Sequence, residues 1–198
     1  MYVLDAEAIK RARISLTLIF INIICFITFN IILEIDYLLL FVQINSRIID
    51  DLELWRLFTA IFLHADIFHL FSNMIALFFF GTAVENNYRR HEYLIIYFLS
   101  GLLGNIFSLI LLPHHSISLG ASGAIFGLIG AAFILYATGN DRTLLYLGLF
   151  YLVYFIISSF SPGINPWAHI FGLLGGILFG YLFFRLNRKK KIENNGYY

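Results

Sequence analysis

Four residues hold the side chains for acyl chemistry: Ser122, His169, His69 and Asn73. A serine hydroxyl is a weak nucleophile at neutral pH and needs an adjacent base, for which a neutral imidazole is suited. Ser122 and His169 have the right types for that pair. The tetrahedral intermediate then needs fixed donors for its oxyanion, each lowering the barrier by roughly 3 kcal/mol. His69, Asn73 and the backbone N–H of Ser122 can supply them, the last from a helix N-terminus. His69 and Asn73 are four residues apart and so share one face of a helix. No carboxylate stands at matching depth to complete a Ser-His-Asp arrangement. Phe126, one turn after Ser122, can stack on the imidazole.

The elements that position these groups follow from composition. The 198-residue chain is 60% hydrophobic and only 13% charged, with a mean hydropathy of +0.83, against about 25% charged in soluble domains. A soluble protein of this size cannot hide so much apolar surface. The composition excludes disorder, a nucleic-acid module and a secreted disulfide scaffold. The lone Cys25 excludes an internal disulfide or a Cys-rich metal site, and mid-span it reads as core packing.

Apolar runs near the roughly 20 residues needed to cross a bilayer occur at 14–33, 67–84, 93–112, 120–138, 143–160 and 166–186. Asn165 and Pro166 open the last as N-cap and first helical residue. The expected fold is therefore all-α and integral to the membrane, a bundle of six transmembrane helices. Lys and Arg set its orientation, eleven in the segments on the N-terminal side against Arg47 and Arg56 on the other. Both termini are expected in the cytoplasm, with no cleaved signal peptide. Residues 1–13 form a cytoplasmic segment, 14–186 the six-helix domain and 187–198 a basic tail. The outer segment 34–66 is long and amphipathic, and reads as short helices in the headgroup region.

Polar groups within spans are costly and mark function. His69, Ser122 and His169 each lie about one turn inside the outer start of the second, fourth and sixth spans, hence at similar depth. Singly, each has an ordinary explanation: a small residue at a helix contact, a satisfied histidine, an interhelical amide. Their conjunction is harder to obtain from packing. Gly123 and Gly127 on the fourth span, and Gly172, Gly176 and Gly180 on the sixth, permit the close approach that would join Ser122 to His169. Gly101 and Gly104 suit packing of the third span on the fourth.

Taken together these residues carry a signature. The chain resembles the rhomboid intramembrane serine proteases in their minimal six-helix form. The matching elements are Trp55-Arg56, His64, His69-x-x-x-Asn73, Gly81 with Glu85, Gly120-Ala121-Ser122-Gly123 and His169-x-x-Gly172-x-x-x-Gly176. They run from about Trp55 to about Gly180. The resemblance implies Ser122 as nucleophile, His169 as general base, and His69 and Asn73 as oxyanion-stabilising side chains. It implies structural roles for Arg56 and Glu85, and helix contact for Gly172. Phe126 stands where a bacterial member has tyrosine, so the stacking face is kept without its hydroxyl. The implied partners are transmembrane segments of substrate proteins, cut near small residues, within a lipid bilayer. Lateral entry past the fifth span and a mobile cap at 158–165 are also implied. The minimal form suggests a bacterial cytoplasmic membrane.

Other readings are weaker. His64 and His69 are five apart with no intervening glutamate, unlike a zinc protease motif. His114-His115 reads as an interfacial turn and His91 as solvated surface. No metal or cofactor is expected. A transporter or channel would place polar residues along a whole path. The remaining alternative is a catalytically silent rhomboid-like protein that binds client spans, a type that usually lacks the serine or the histidine present here.

Overall fold

The computed structural model describes residues 6–139, 146, 149, 150, 153, 157, 159 and 163–195. The expected fifth span, 143–160, therefore falls almost entirely outside the described residues. The first helices are α1 (Ala6–Arg11) and α2 (Arg13–Ile27), the latter continued by a wider turn at Thr28–Ile32. The connecting segment then forms α3 (Ile35–Leu39), β1 (Gln43–Ile44), α4 (Asn45–Asp51) and α5 (Arg56–Thr59). After it come α6 (Ile67–Ala76), a wide turn at Leu77–Gly81 and α7 (Thr82–Glu85) in one continuous rod. The remaining elements are α8 (Arg90–Leu111), β2 (Ile117–Ser118), α9 (Ser122–Thr138) and α10 (Pro166–Asn195).

Four of these helical stretches are long and apolar enough to cross a bilayer: Arg13–Ile32, Ile67–Glu85, Arg90–Leu111 and Pro166–Lys189. Helix α9 is apolar but has only 17 residues, beginning at Ser122 rather than at Gly120. It occupies the centre. Every residue from Gly123 to Ala132 is buried, so it has no polar face to present. Around it the outward faces of the other helices are bare hydrocarbon, including Phe20, Phe68, Phe71, Ile110, Leu178 and Leu182. Surface of that kind fits lipid rather than water, and the molecule is an integral membrane protein.

The helix contacts are set by missing side chains. A Cβ on Gly172 would drive into the Gly123 carbonyl oxygen, and one on Gly176 into that of Gly127. Helices α9 and α10 thus meet backbone to backbone along these pairs. The two α8 glycines diverge: Gly101 faces Ala124 of α9, whereas Gly104 abuts the Ala168 carbonyl of α10. Positions three apart differ by only about 60° around the axis, so the two glycines share a broad face that lies between α9 and α10.

The caps also agree with local chemistry. Asp66 accepts from the Phe68 and His69 N–H groups at 2.8 and 2.9 Å, closing the start of α6. Asn165 accepts from Ala168 N–H at 3.2 Å at the head of α10, with Pro166 first in the helix. That helix runs to Asn195, beyond the expected end at Leu186. Residues 187–195 contain no Gly or Pro, so nothing in them stops it.

The 34–66 segment is pinned by polar side chains. The buried Arg56 guanidinium donates to the carbonyls of Leu39 and Val42 at 2.6 and 2.8 Å and pairs with Glu53. Strand β1 pairs antiparallel with β2, Gln43 opposite Ser118. The Gln43 amide donates to the Asn105 carbonyl at 3.1 Å, and the Asn45 amide to that of Pro113 at 3.2 Å. The Asn45 bonds, which also reach the Leu112 carbonyl at 3.5 Å, meet carbonyls just past the end of α8, where the helix supplies no partner, while Gln43 ties β1 to the interior of that helix.

Candidate active site

The N-terminal ends of α6, α9 and α10 lie together. The Ala121 backbone leads into α9, making Ser122 its first residue, where backbone N–H groups have no partner within the helix. On α10, His169 lies in the first turn after Pro166. The α9–α10 glycine contacts lie one turn below. At this spacing Ser122 Oγ is 2.8 Å from His169 Nε2, a full hydrogen-bond distance. Phe126, one turn below Ser122 and buried, stacks on the His169 ring with centroids 4.3 Å apart and planes 12° from parallel.

The other edge of the imidazole has a partner too. His169 Nδ1 is 2.7 Å from the hydroxyl of Ser159, which is 1% exposed. Sequence reading did not single out Ser159. It stands in the serine-rich run 158–161, and a hydroxyl in a connecting segment has no helical period to reveal which way it points. Packing by Phe126 is therefore not the only restraint on His169.

His69 approaches from α6. Gly120 has φ of +134°, a conformation that side chains other than hydrogen resist. A Cβ there would also sit 2.9 Å from His69 Nε2 and 3.7 Å from Ser122 Oγ. The glycine thus leaves clear a small space that both groups border. The Ala65 N–H makes a long 3.5 Å contact to His69 Nδ1, and Nε2 faces that space. Asn73 is buried one turn below, and its amide donates to the His69 carbonyl at 2.9 Å. A side-chain amide has two N–H groups, so this bond leaves one available.

His64 packs edge-on against His69, with ring centroids 5.1 Å apart. It is fully buried, and neither ring nitrogen has a well-formed hydrogen bond among the described residues. Burial pushes its pKa down to about 3, with the neighbouring His69 adding to the effect, so the ring is neutral.

Three other expected site residues lie farther off. Arg56 clamps the 34–66 segment as described. Glu85 is at the opposite end of the α6–α7 rod, where it accepts from the Ile14 N–H, the Ser15 N–H and the Ser15 hydroxyl at 2.8, 2.8 and 2.7 Å. It therefore holds the start of α2. Gly176 lies two turns below His169, at the α9–α10 contact. His114 is paired at 3.1 Å with Asp50. Among the described residues, no three His, Cys, Asp or Glu side chains form a group that could hold a metal ion.

Comparison with known proteins assigns the chain to a class. The rhomboid domain profile matches residues 51–186. The chain belongs to the rhomboid family. It is 37% identical over 136 residues to the provisionally named rhomboid protease YdcA of Bacillus subtilis (strain 168), covering 66% of this chain and 67% of that one. It is 39% identical over 136 residues to the rhomboid protease GluP of the same organism, covering 67% of this chain but 26% of the relative. RHOMBOID-like protein 1 of Arabidopsis thaliana is 36% identical over 143 residues, or 70% of this chain and 36% of the relative.

Proposed function

We propose that this protein is an intramembrane serine endopeptidase that hydrolyses peptide bonds in or near the transmembrane segments of other membrane proteins. The observation that carries the reading is the 2.8 Å contact between Ser122 Oγ and His169 Nε2, made at the ends of two helices locked together by glycines. Two relatives whose names include rhomboid protease support it.

In this reading Ser122 Oγ attacks the scissile carbonyl carbon while His169 Nε2 takes the hydroxyl proton. The oxyanion accepts hydrogen bonds from the Ser122 N–H, His69 Nε2–H and the free N–H of Asn73. His169 then gives its proton to the leaving amine as the C–N bond breaks. A water molecule, deprotonated by the same nitrogen, attacks the acyl-enzyme ester and restores Ser122. The pair acts without a carboxylate.

The fold that goes with this function has six spans, the fifth at 143–160, with both termini in the cytoplasm. The 34–66 segment lies on the opposite side of the membrane, the orientation that the Lys and Arg distribution favours. A bacterial cytoplasmic membrane suits the chain, and its partners are substrate spans entering from the bilayer.

The test is a fluorophosphonate probe applied to the purified protein in detergent, alongside Ser122→Ala and His169→Ala. Labelling of the wild type that vanishes in both variants is the expected result. A folded wild type that stays unlabelled would overturn the proposal and favour a protein that binds client spans without cutting them.

A further inference from the structure

A histidine that accepts a proton at Nε2 must carry its other proton on Nδ1, and that tautomer needs an acceptor to hold it. In hydrolases with a triad the acceptor is a carboxylate. Here the group at Nδ1 is the hydroxyl of Ser159, 2.7 Å away and buried. We infer that Ser159 is a positioning residue for the Ser122–His169 pair. Its Oγ accepts the Nδ1–H bond, fixes the tautomer, and turns the Nε2 lone pair toward Ser122. This inference rests on the proposed hydrolytic reading and adds to it the device that replaces the missing carboxylate.

Three observations support the assignment over a merely structural bond. The imidazole has two ring nitrogens, and each meets one serine, at 2.7 and 2.8 Å. The stack on Phe126 restrains the ring's plane, with 12° between the two, but a stacked ring can still turn within that plane. Only a directed bond at one edge selects which nitrogen faces Ser122. Finally, Ser159 stands in a turn, seven residues before Pro166. The hydroxyl is not needed to close α10, whose cap is Asn165.

A hydroxyl is a weaker acceptor than a carboxylate and carries no charge to stabilise the imidazolium. The effect of losing it is correspondingly modest. Loss of a neutral hydrogen bond corresponds to roughly tenfold, far below the loss expected when the base itself is removed.

The experiment compares wild type, Ser159→Ala and Ser159→Thr for cleavage of a membrane-protein substrate in detergent, with fluorophosphonate labelling in parallel. Ser159→Ala is expected to lower kcat and the labelling rate about tenfold with KM unchanged. Ser159→Thr, which keeps the hydroxyl, should restore most of the rate. Nitrogen-15 NMR of the labelled imidazole of His169 should show the Nδ1–H tautomer in the wild type and a mixture in Ser159→Ala. If Ser159→Ala labels at the wild-type rate with an unchanged tautomer, this inference falls while the hydrolytic reading stands. An inert wild type would remove both. A Ser159→Ala variant whose thermal unfolding is unchanged, yet which raises KM alone, would also overturn the positioning role.

Discussion

The two ends of the α6–α7 rod hold polar clusters of opposite character. At the Glu85 end the charged group is fully used: the carboxylate takes three hydrogen bonds from Ile14 and Ser15, and the Ser15 hydroxyl also meets Tyr93, though the buried Thr82 hydroxyl has no well-formed partner among the described residues. Asn86 donates to the Ala8 and Thr82 carbonyls. At the other end His69 and Ser122 border a small space, Asn73 one turn below keeps an N–H in hand, and His64 beside His69 lacks a well-formed partner among the described residues. A saturated cluster lowers the energy of the fold and has nothing left for a ligand. A cluster with unspent donors costs stability and is retained where a substrate completes it. The contrast sets a polar group that builds the bundle against one that the proposed function puts to work.

The contrast can be broken at either end. Ser122→Ala is expected to remove roughly 10⁴-fold or more of the cleavage rate while leaving thermal unfolding in detergent unchanged or slightly raised. A large loss of stability would place Ser122 among the structural groups. His69→Ala should cost roughly 10²–10³-fold in kcat, the usual effect of losing one oxyanion donor, again with little change in unfolding. Equal rates would withdraw His69 from the site.

At the saturated end, Glu85→Gln puts an amide where three donors expect a charged acceptor. A destabilisation of about 2–3 kcal/mol is expected, read by unfolding in a denaturing detergent, with the labelling rate per folded molecule unchanged. A labelling defect at unaltered stability would blur the two clusters into one.

His64 provides a finer measure. Its folded pKa of about 3 lies below the unfolded value of 6.5. The stability is therefore full above pH 6.5 and is lost as pH falls toward 3, because the unfolded chain takes up a proton that the fold refuses. The slope approaches about 1.4 kcal/mol per pH unit. His64→Leu should flatten the unfolding profile between pH 6.5 and 4. The smallest effect belongs to Phe126→Leu, which keeps bulk but loses the flat face and should lower kcat by less than about tenfold.

The sequence made some of this architecture legible and hid the rest for physical reasons. Long apolar runs announced α2, α6, α8 and α10, because lipid leaves no other use for them. Glycines at four-residue spacing foretold the α9–α10 contact, since nothing else lets two backbones meet. The Asn165-Pro166 pair foretold the head of α10. Strand β1 was invisible: two residues carry no period, and its partner β2 lies more than 70 residues away. The exit of α8 is met by Asn45, an amide that reads in the sequence as an ordinary loop residue. In the candidate site, residue types and depths were readable at Ser122, His169 and His69. The acceptor at His169 Nδ1 was not, because Ser159 reaches it from a connection rather than from a helix face.

The brevity of α9 has a further consequence. At 17 residues it measures only about 25 Å, short of the roughly 30 Å of hydrocarbon in a typical bilayer. A helix bathed in lipid at that length would thin the membrane or tilt. Because neighbouring helices bury α9 from Gly123 to Ala132, the length of that part is set by protein surfaces more than by lipid. Changes in acyl-chain length act first on the outer ring of helices, and they reach Ser122 through the close seams that fix α9 to α10 and to α8.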